Sequence, residues 1–338
     1  MSPRVRLSCL PLVLALALAA PAPALGQGGA KPLPPLSVRG SVPIWNVQAP
    51  VLVARARGFF DEVGLKQVDF KVGGLDVETL RGLAAGGFDI QINATSGSAL
   101  RAITQGAPLK IVAGFAHGAR YAIFVKQGAK AADLKGKTIA VAELEDFTSE
   151  MLKAALRQLG LDPGDVTMVP AGSPGDRMGA HFAGKVNASF NIYNLLPVYA
   201  SRGYVPLINL VDVKELAPWS LVTVAVNRQA LAKSPDAVAA FLTAVIRARA
   251  WYHDPANAAE LRALLKAASI EFRSDQAFKF EYDLDREMTP TDFNLPRETF
   301  ENTARFLLKV GHLPRPVTFD EATDLSHLAR AQKAASGK

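Results

Sequence analysis

The sequence predicts an α/β protein made of two units, each a mostly parallel sheet flanked by helices. Short apolar runs alternate along the chain with helical stretches of about ten residues, which is typical of doubly wound sheets. The chain has 338 residues, of which 49% are apolar. This length favours two domains over one, and this composition is sufficient for a core in each.

The first 26 residues have the pattern of a secretory signal peptide. Arg4 and Arg6 precede an apolar run from Leu7 to Ala20, and small residues follow it. The run has 14 residues, whereas a membrane anchor, the alternative interpretation, needs roughly 20. We therefore expect export to the periplasm and removal of this segment. Cys9 lies near the start of the apolar run and does not follow it, so lipidation is not expected.

The remaining 312 residues (338 minus 26) contain no cysteine, so we expect no disulfide bonds. Removal of Arg4 and Arg6 reduces the formal charge from +7 to +5 (7 minus 2). Lysine and arginine are scattered among acidic residues, without the basic block or interleaved aromatics of a nucleic-acid surface. The composition therefore argues against nucleic acid as a partner and is compatible with weak attraction of anions.

The segment Val38–Leu65 predicts the first strand, loop and helix of a parallel sheet. A polar loop with Trp45, Asn46 and Gln48 precedes Pro50, which we expect at the first helical position because proline loses no helical hydrogen bond there. The free backbone donors at such a helix start form a potential anion site. Ligands of parallel α/β sheets bind at this edge of the sheet.

The same unit continues through three more strands and the helices between them. Residues 68–72 and 88–94 predict strands, and residues 76–85 predict a helix that ends at glycine. The polar residues Thr95 and Ser96 follow the second of these strands and lead into another helix. Residues 110–114 are apolar enough for a buried parallel strand.

A second unit is predicted to begin near Tyr121. Its strands again alternate with helices, and the loop 145–148 opens one of them. Ser173 followed by Pro174 is an N-cap and first-turn pair for the next helix. A strand then ends at residues 193–197, which form another loop before a helix.

The last third of the chain is predicted to be helical. Ser234 and Pro235 open the strongest helical pattern in the sequence. The later helices are expected to pack on the first lobe. We therefore predict a first lobe of residues 36–118 and 229–330, a second lobe of residues 119–228 and a disordered tail of residues 331–338.

Several segments together carry a family resemblance. They are GFFDEVGL from Gly58, QGAPLKIVAG from Gln105, DLKGKTIAV from Asp133 and RQLGLDPGDV from Arg157. Their order and spacing, over about residues 38–254, resemble the periplasmic solute-binding proteins of ABC importers. More narrowly, the chain is similar to the NMT1/THI5-like group for nitrate, sulfonates, taurine and thiamine-pyrimidine precursors. One departure is Asn187, which stands where the group usually has an aspartate.

The resemblance implies a type II periplasmic binding protein fold, the Venus flytrap. Two α/β lobes joined by two crossovers close on a small molecule by hinge motion. The ligand would lie where loops of both lobes face each other. From the first lobe, the candidate ligand-binding residues are Trp45, Asn46, Gln48, Thr95, Ser96 and His117. From the second lobe and its hinge, they are Glu145, Phe147, Thr148, Tyr193, Asn194 and Trp219. Each has a structural alternative as a core or helix-capping residue.

These residue types favour a small organic anion or a heteroaromatic solute, of sulfonate, taurine, carboxylate or pyrimidine type. Glu143, Glu145 and Asp146 would favour an amine or ring N–H on the ligand if one of them faces the cleft. The resemblance implies ABC permease transmembrane subunits with a cytoplasmic ATPase as partners. No cofactor or metal is expected, because the five histidines lack metal-ligand spacing.

Enzymatic function is the alternative. The sequence has no GxSxG, SxxK or HExxH motif, and no cysteine nucleophile remains after residue 26. Related folds nevertheless include biosynthetic enzymes such as a pyrimidine synthase, so an enzyme remains possible on the same architecture. A third hypothesis is the ligand-binding subunit of a sensor.

Overall fold

The computed structural model describes residues 32–41, 44–144 and 147–337. Within these ranges the chain forms two five-stranded sheets with helices packed around them. The predicted signal peptide, residues 1–26, lies outside the described residues. No helix in the described ranges combines the length and the apolar character needed to cross a membrane.

The first sheet has the strand order β2-β1-β3-β10-β4. Its strands are β1 (Leu36–Gly40), β2 (Val68–Val72), β3 (Ile90–Thr95), β4 (Leu109–His117) and β10 (Ser220–Asn227). β1 pairs in parallel with β2 and β3, whereas β10 is antiparallel to β3 and β4. Four strands therefore run in one direction and β10 runs in the other.

The second sheet repeats this pattern with the order β7-β6-β8-β5-β9. Its strands are β5 (Tyr121–Lys126), β6 (Thr138–Val141), β7 (Thr167–Pro170), β8 (Ala188–Ile192) and β9 (Tyr204–Asn209). β6 is parallel to β7 and β8, and β5 is antiparallel to β8 and β9. In both sheets the reversed strand is the one by which the chain arrives from the other lobe.

Fourteen helices surround the sheets within the described residues. In the first half of the chain they are α1 (Trp45–Ala56), α2 (Phe59–Glu62), α3 (Asp76–Ala84), α4 (Ser96–Thr104), α5 (Phe147–Gln158), α6 (Pro174–Phe182) and α7 (Leu196–Ala200). In the second half they are α8 (Arg228–Lys233), α9 (Pro235–His253), α10 (Ala258–Ala267), α11 (Asp275–Met288), α12 (Arg297–Lys309), α13 (Phe319–Ala322) and α14 (Ser326–Ala335). The predicted α/β fold with additional C-terminal helices is therefore confirmed.

Two crossover segments, residues 118–120 and 210–219, connect the lobes. They lie side by side, because the Gly118 amide donates to the carbonyl of Trp219 at 2.8 Å. Gly118 has φ of +79°, a conformation that L side chains rarely adopt. Residues 220–227 were predicted in the second lobe, but β10 hydrogen-bonds to β3 and β4 and is therefore part of the first sheet.

The first lobe has its main core on one face of the first sheet, where α1 and α14 pack against α9. The inner face of α9 buries Val238, Phe241, Leu242 and Val245 completely. Phe241 stacks on Phe60 with the ring centroids 6.0 Å apart. Burial of side chains of this size stabilises the fold by about 1.5–3 kcal/mol each.

Two local predictions differ from the structure. α1 begins at Trp45, so Pro50 lies inside the helix. The free backbone donors at the start of α1 therefore belong to residues 45–48. Long-range hydrogen bonds from Trp45 and Asn46 hold this extra turn, as described below. The tail 331–338 was predicted to be disordered, yet α14 continues to Ala335 because Ala331 is buried against the core. Lys338 lies outside the described residues.

Candidate functional site

The carboxyl-terminal ends of the parallel strands define one edge of each sheet, which we call the cleft edges. In the first sheet, the start of β10 pairs beside the ends of β3 and β4. In the second sheet, the start of β5 pairs beside the ends of β8 and β9. Because both crossovers join these points, the two cleft edges face each other across the hinge.

Exposed apolar side chains concentrate at the cleft edges. The large apolar residues that are exposed within the described ranges are Ile44, Leu75, Val77, Leu144 and Val211. Each follows the carboxyl-terminal end of a strand, namely β1, β2, β6 or β9. Leu75 is 68% exposed. Apolar surface confined to one region indicates a binding region.

Trp45 and Asn46, predicted to line the site, bind the C-terminal helix α11. The indole Nε1 of Trp45 donates to Oε2 of Glu281 at 2.9 Å. Nδ2 of Asn46 donates to Oδ1 of Asp285 at 2.9 Å. Both side chains are nearly buried, so these contacts fix the start of α1 at the cleft. Gln48 is half-buried one turn further along the helix.

Thr95 and Ser96 lie at the junction of β3 and α4. Oγ1 of Thr95 donates to a carboxylate oxygen of Asp76 at 2.6 Å. The hydroxyls of Ser96 and Ser220 are 3.0 Å apart and share a hydrogen bond. Burial raises the pKa of Asp76 despite its hydrogen bonds with Thr95, Ser98 and Gln91. Both predicted residues therefore hold the cleft edge of the first sheet in shape.

His117 ends β4 at the entry to the first crossover. Its Nε2 is 2.8 Å from the carbonyl oxygen of Asn294, and because a carbonyl only accepts, this nitrogen carries the hydrogen. Burial lowers the pKa of His117. The structure thus gives His117 a structural hydrogen bond to the segment before α12.

The second-lobe candidates do not all lie together. Phe147 begins α5, and its ring is 5.5 Å from the His312 ring of the first lobe. Thr148 is buried beside it, and Asn194 is half-buried in the turn after β8. Trp219 packs edge-on to Phe306, 5.5 Å away, and is buried in the core. Glu145 lies outside the described residues.

Tyr193, in the turn after β8, reaches across to the first lobe. Its ring centroid is 6.4 Å from that of Phe280 in α11. Burial, with the nearby carboxylates of Glu287 and Asp212, raises the pKa of Tyr193. Because Phe280 and Glu281 are consecutive, α11 brings Tyr193 and Trp45, one from each lobe, to neighbouring positions.

Sequence reasoning missed α11 as part of the site. Its fully buried Asp285 accepts hydrogen bonds from Asn46, from Nε2 of His253 at 3.2 Å and from Oγ1 of Thr289 at 3.2 Å. Burial by itself would raise the pKa of Asp285, but the His253 hydrogen bond and two arginines hold it below its usual value. The available signal in the sequence was a pair of acidic residues four positions apart, Glu281 and Asp285, on the apolar face of a helix.

Sequence reasoning also missed Arg120. It stands in the first crossover, where its carbonyl accepts from the Tyr193 amide at 3.0 Å. The side chain is 8% exposed. A single arginine in a short connecting segment gives no periodic signal in the sequence.

Comparison with known proteins places this geometry in context. The NMT1/THI5 like family model matches residues 45–258. No curated protein matches the sequence. Among described residues, no group of three or more His, Cys, Asp or Glu side chains could hold a metal ion.

Solved structures share the fold at low sequence identity. A putative periplasmic sulfonate-binding protein SsuA of Methylobacillus flagellatus has a TM-score of 0.71 at 16% identity, covering 91% of this chain and 96% of its own. The periplasmic aliphatic sulphonate binding protein SsuA of Escherichia coli has a TM-score of 0.67 at 17% identity, covering 86% and 91%. The periplasmic nitrate-binding protein NrtA of Synechocystis has a TM-score of 0.63 at 15% identity, covering 90% of each chain.

These structures have the periplasmic binding protein fold, with two mixed sheets flanked by helices, as this chain does. The family match extends from the first residue of α1 into α10 and so includes both crossovers and most of both lobes. The chain belongs to the NMT1/THI5-like family.

Proposed function

We propose that this protein is a periplasmic solute-binding protein that captures a small organic anion between its lobes by hinge closure. The observation that carries the proposal is the arrangement of two facing cleft edges joined by only two crossovers. Such an arrangement allows the lobes to move as units about the crossovers. A heteroaromatic solute of pyrimidine type is the other ligand class to test.

Two features of the cleft edges support an anion with an apolar body. The helices α1, α4 and α5 begin at these edges, and each helix start offers an anion about 0.3–1 kcal/mol through its free backbone donors. The exposed side chains of Ile44, Leu75 and Leu144 supply apolar surface at the same edges. Closure over an apolar group would remove this surface from water and stabilise the complex.

The names of structural relatives agree with this ligand class. Two are named as binding proteins for sulfonates and one for nitrate. By this analogy, the protein would release its ligand to the transmembrane subunits of an ABC permease driven by a cytoplasmic ATPase. Its predicted signal peptide, if cleaved, would place the mature chain in the periplasm with these partners.

We propose a binding protein and not an enzyme. At the described cleft edges, the side chains of Trp45, Asn46 and Thr95 are hydrogen-bonded to carboxylates of the protein itself. These hydrogen bonds hold the three side chains in place as parts of the cleft wall, which is the role that a binding pocket requires. Turnover of a bound compound by the purified protein would contradict this assignment.

The test is a binding screen of the mature protein with hexanesulfonate, taurine, benzoate, nitrate and an aminopyrimidine. We expect a rise in melting temperature with at least one of them and saturable, one-to-one binding by titration calorimetry. A ligand at 100 times its Kd should add about 2.7 kcal/mol to the free energy of unfolding. X-ray scattering should show a smaller radius of gyration with the ligand. No response to any compound would refute the proposal.

A further inference from the structure

The Arg120 guanidinium is a buried cation with unused hydrogen-bond donors. Its Nε and Nη2 atoms are closed off from solvent and have no hydrogen-bond partner among the described residues. Within the described ranges no carboxylate lies within 4.0 Å of it, the limit for an ion pair. A buried donor without a partner costs about 1–3 kcal/mol, and more when it is charged.

Nearby charges do not neutralise this group. The ionisable groups that act most strongly on it are Asp285, Arg249, Tyr252 and Glu287. Asp285 is the buried carboxylate among them, and its oxygens already accept from three other side chains. Arg249 is also fully buried, so one buried carboxylate serves two buried guanidinium groups.

The remaining titratable groups around this cluster do not change the balance. Burial lowers the pKa of His117, which favours its neutral form. Glu281 is only half-buried, and its carboxylate accepts a hydrogen bond from Trp45. Glu287 is exposed to solvent. Among the buried members of the cluster, Arg120, Arg249 and Asp285, two guanidinium groups thus face one carboxylate, which is an excess of positive charge.

The position of Arg120 relates this excess charge to the cleft. The residue lies on the crossover that joins the two cleft edges, and its carbonyl holds the amide of Tyr193. Tyr193 in turn contacts α11. Opening of the lobes about this crossover would expose the guanidinium to a ligand entering the cleft, and closure would then enclose the ligand.

We infer that Arg120 binds the anionic group of the ligand at the base of the cleft, and that this group is a compact oxyanion such as a sulfonate or carboxylate. A guanidinium presents its donors in a planar fork that matches two oxygens of such a group. The bound oxyanion would use the unpartnered donors and balance the charge of the cluster. This inference rests on the proposed solute-binding function and specifies the ligand class.

The experiment compares the full mature chain with Arg120→Met and Arg120→Lys, using hexanesulfonate, benzoate and the aminopyrimidine as probes. For the anionic probe that binds the wild-type protein, we expect Arg120→Met to weaken affinity by about 100-fold, the size of a lost charged hydrogen-bond pair. Arg120→Lys keeps the charge without the fork and should give a smaller loss. Arg330→Met removes an exposed guanidinium and is the matched control for net charge, with unchanged affinity.

The melting temperature of the ligand-free variants separates binding from a structural role. Because the cation is buried without partners, Arg120→Met should melt at or above the wild-type temperature. A clear decrease, or retained affinity for the anion, would overturn the inference while the solute-binding function stands. Binding of only the uncharged aminopyrimidine would overturn it in the same way. Failure of every probe to bind the wild-type protein would refute the proposed function and this inference together.

Discussion

Two buried arginines, one in the first-lobe core and one in the first crossover, occupy contrasting surroundings. Arg249 donates from Nη1 to the carbonyls of Phe115 and Pro290 and from Nε to the hydroxyl of Tyr252. Its guanidinium carbon also lies 3.7 Å from the ring centroid of Phe293 and 4.3 Å from that of Phe115. Arg120 has neither an aromatic contact nor an ion pair among the described residues.

The difference indicates two uses of the same side chain. At Arg249, carbonyl oxygens, a hydroxyl and two aromatic faces replace water around most of the cation, and only Nη2 lacks a hydrogen-bond partner among the described residues. At Arg120, the fold leaves donors unused and therefore retains capacity to bind an anion. The following predictions test this contrast, from the largest expected effect to the smallest.

Replacing Arg249 by methionine should destabilise the protein most. The variant leaves the carbonyls of Phe115 and Pro290 without their donor and removes the cation from between two rings. We expect the free energy of unfolding to fall by about 3–5 kcal/mol, measured by urea denaturation. Arg120→Met is the matched comparison and should show no loss. Equal destabilisation of the two variants would contradict the proposed difference between Arg249 and Arg120.

The free energy of unfolding, measured as a function of pH, should reveal the protonation of His181. This residue is buried in α6 of the second lobe and is distant in sequence from both arginines. Burial lowers the pKa of His181 to about 4, while the unfolded value is about 6.5. The unfolded state therefore binds more protons between these values. The contribution of His181 to the free energy of unfolding is therefore fully present above about pH 6.5. It falls by up to about 3 kcal/mol as the pH drops toward 4.

The control for this pH dependence is His181→Gln, which cannot become charged. Nε2 of His181 is 3.1 Å from the carbonyl of Asn187, and the glutamine amide offers a replacement donor. Urea denaturation at several pH values should show a flatter profile between pH 6.5 and 4 for the variant. Because the folded-state pKa of Asp285 is lowered, its own contribution is lost only at more acidic pH. An unchanged profile would show that His181 is not the titrating group.

Asp285→Asn should have an intermediate effect. The substitution weakens the hydrogen bonds from Asn46, His253 and Thr289 and removes the buried carboxylate that interacts with both guanidinium groups. We expect a loss of about 2 kcal/mol. Addition of Arg120→Met should recover part of this loss, because the excess positive charge is smaller in the double variant. A double-mutant cycle measures this coupling, and strictly additive effects would argue against it.

Arg330→Ala should have the smallest effect. Arg330 pairs with Asp236 at 2.6 Å, but the two side chains are 56% and 67% exposed. Water and salt screen such a pair, so its loss should change the free energy of unfolding by less than about 0.5 kcal/mol. A loss comparable with that of Arg249→Met would mean that burial does not explain the difference between the arginines.

The parts predicted well from the sequence are those that depend on neighbouring residues. Ser173 caps α6 through the amide of Asp176, as the Ser-Pro pair predicts. The predicted helix after Ser234 is α9. In both cases, the residues that decide the outcome lie within a few positions of each other.

The parts that were missed depend on contacts between distant residues. Asn46 and Asp285 are separated by 239 positions, so the sequence around α1 contains no sign of the helix that holds it. Trp219 has the residue type of a ligand contact, yet it packs on Phe306 in the core. Local patterns cannot distinguish these roles, because burial is set by what packs on a side chain from elsewhere.

By itself, the sequence determined the alternation of strands and helices and the family, and it predicted which loops form the ligand site. These follow from local hydrophobic periodicity, capping and glycine positions. Only the tertiary structure assigned β10 to the first sheet and placed α11 beside Trp45 and Tyr193. It alone distinguished Arg249 from Arg120, because the state of a buried charge depends on which distant carbonyls, rings and carboxylates the fold brings to it.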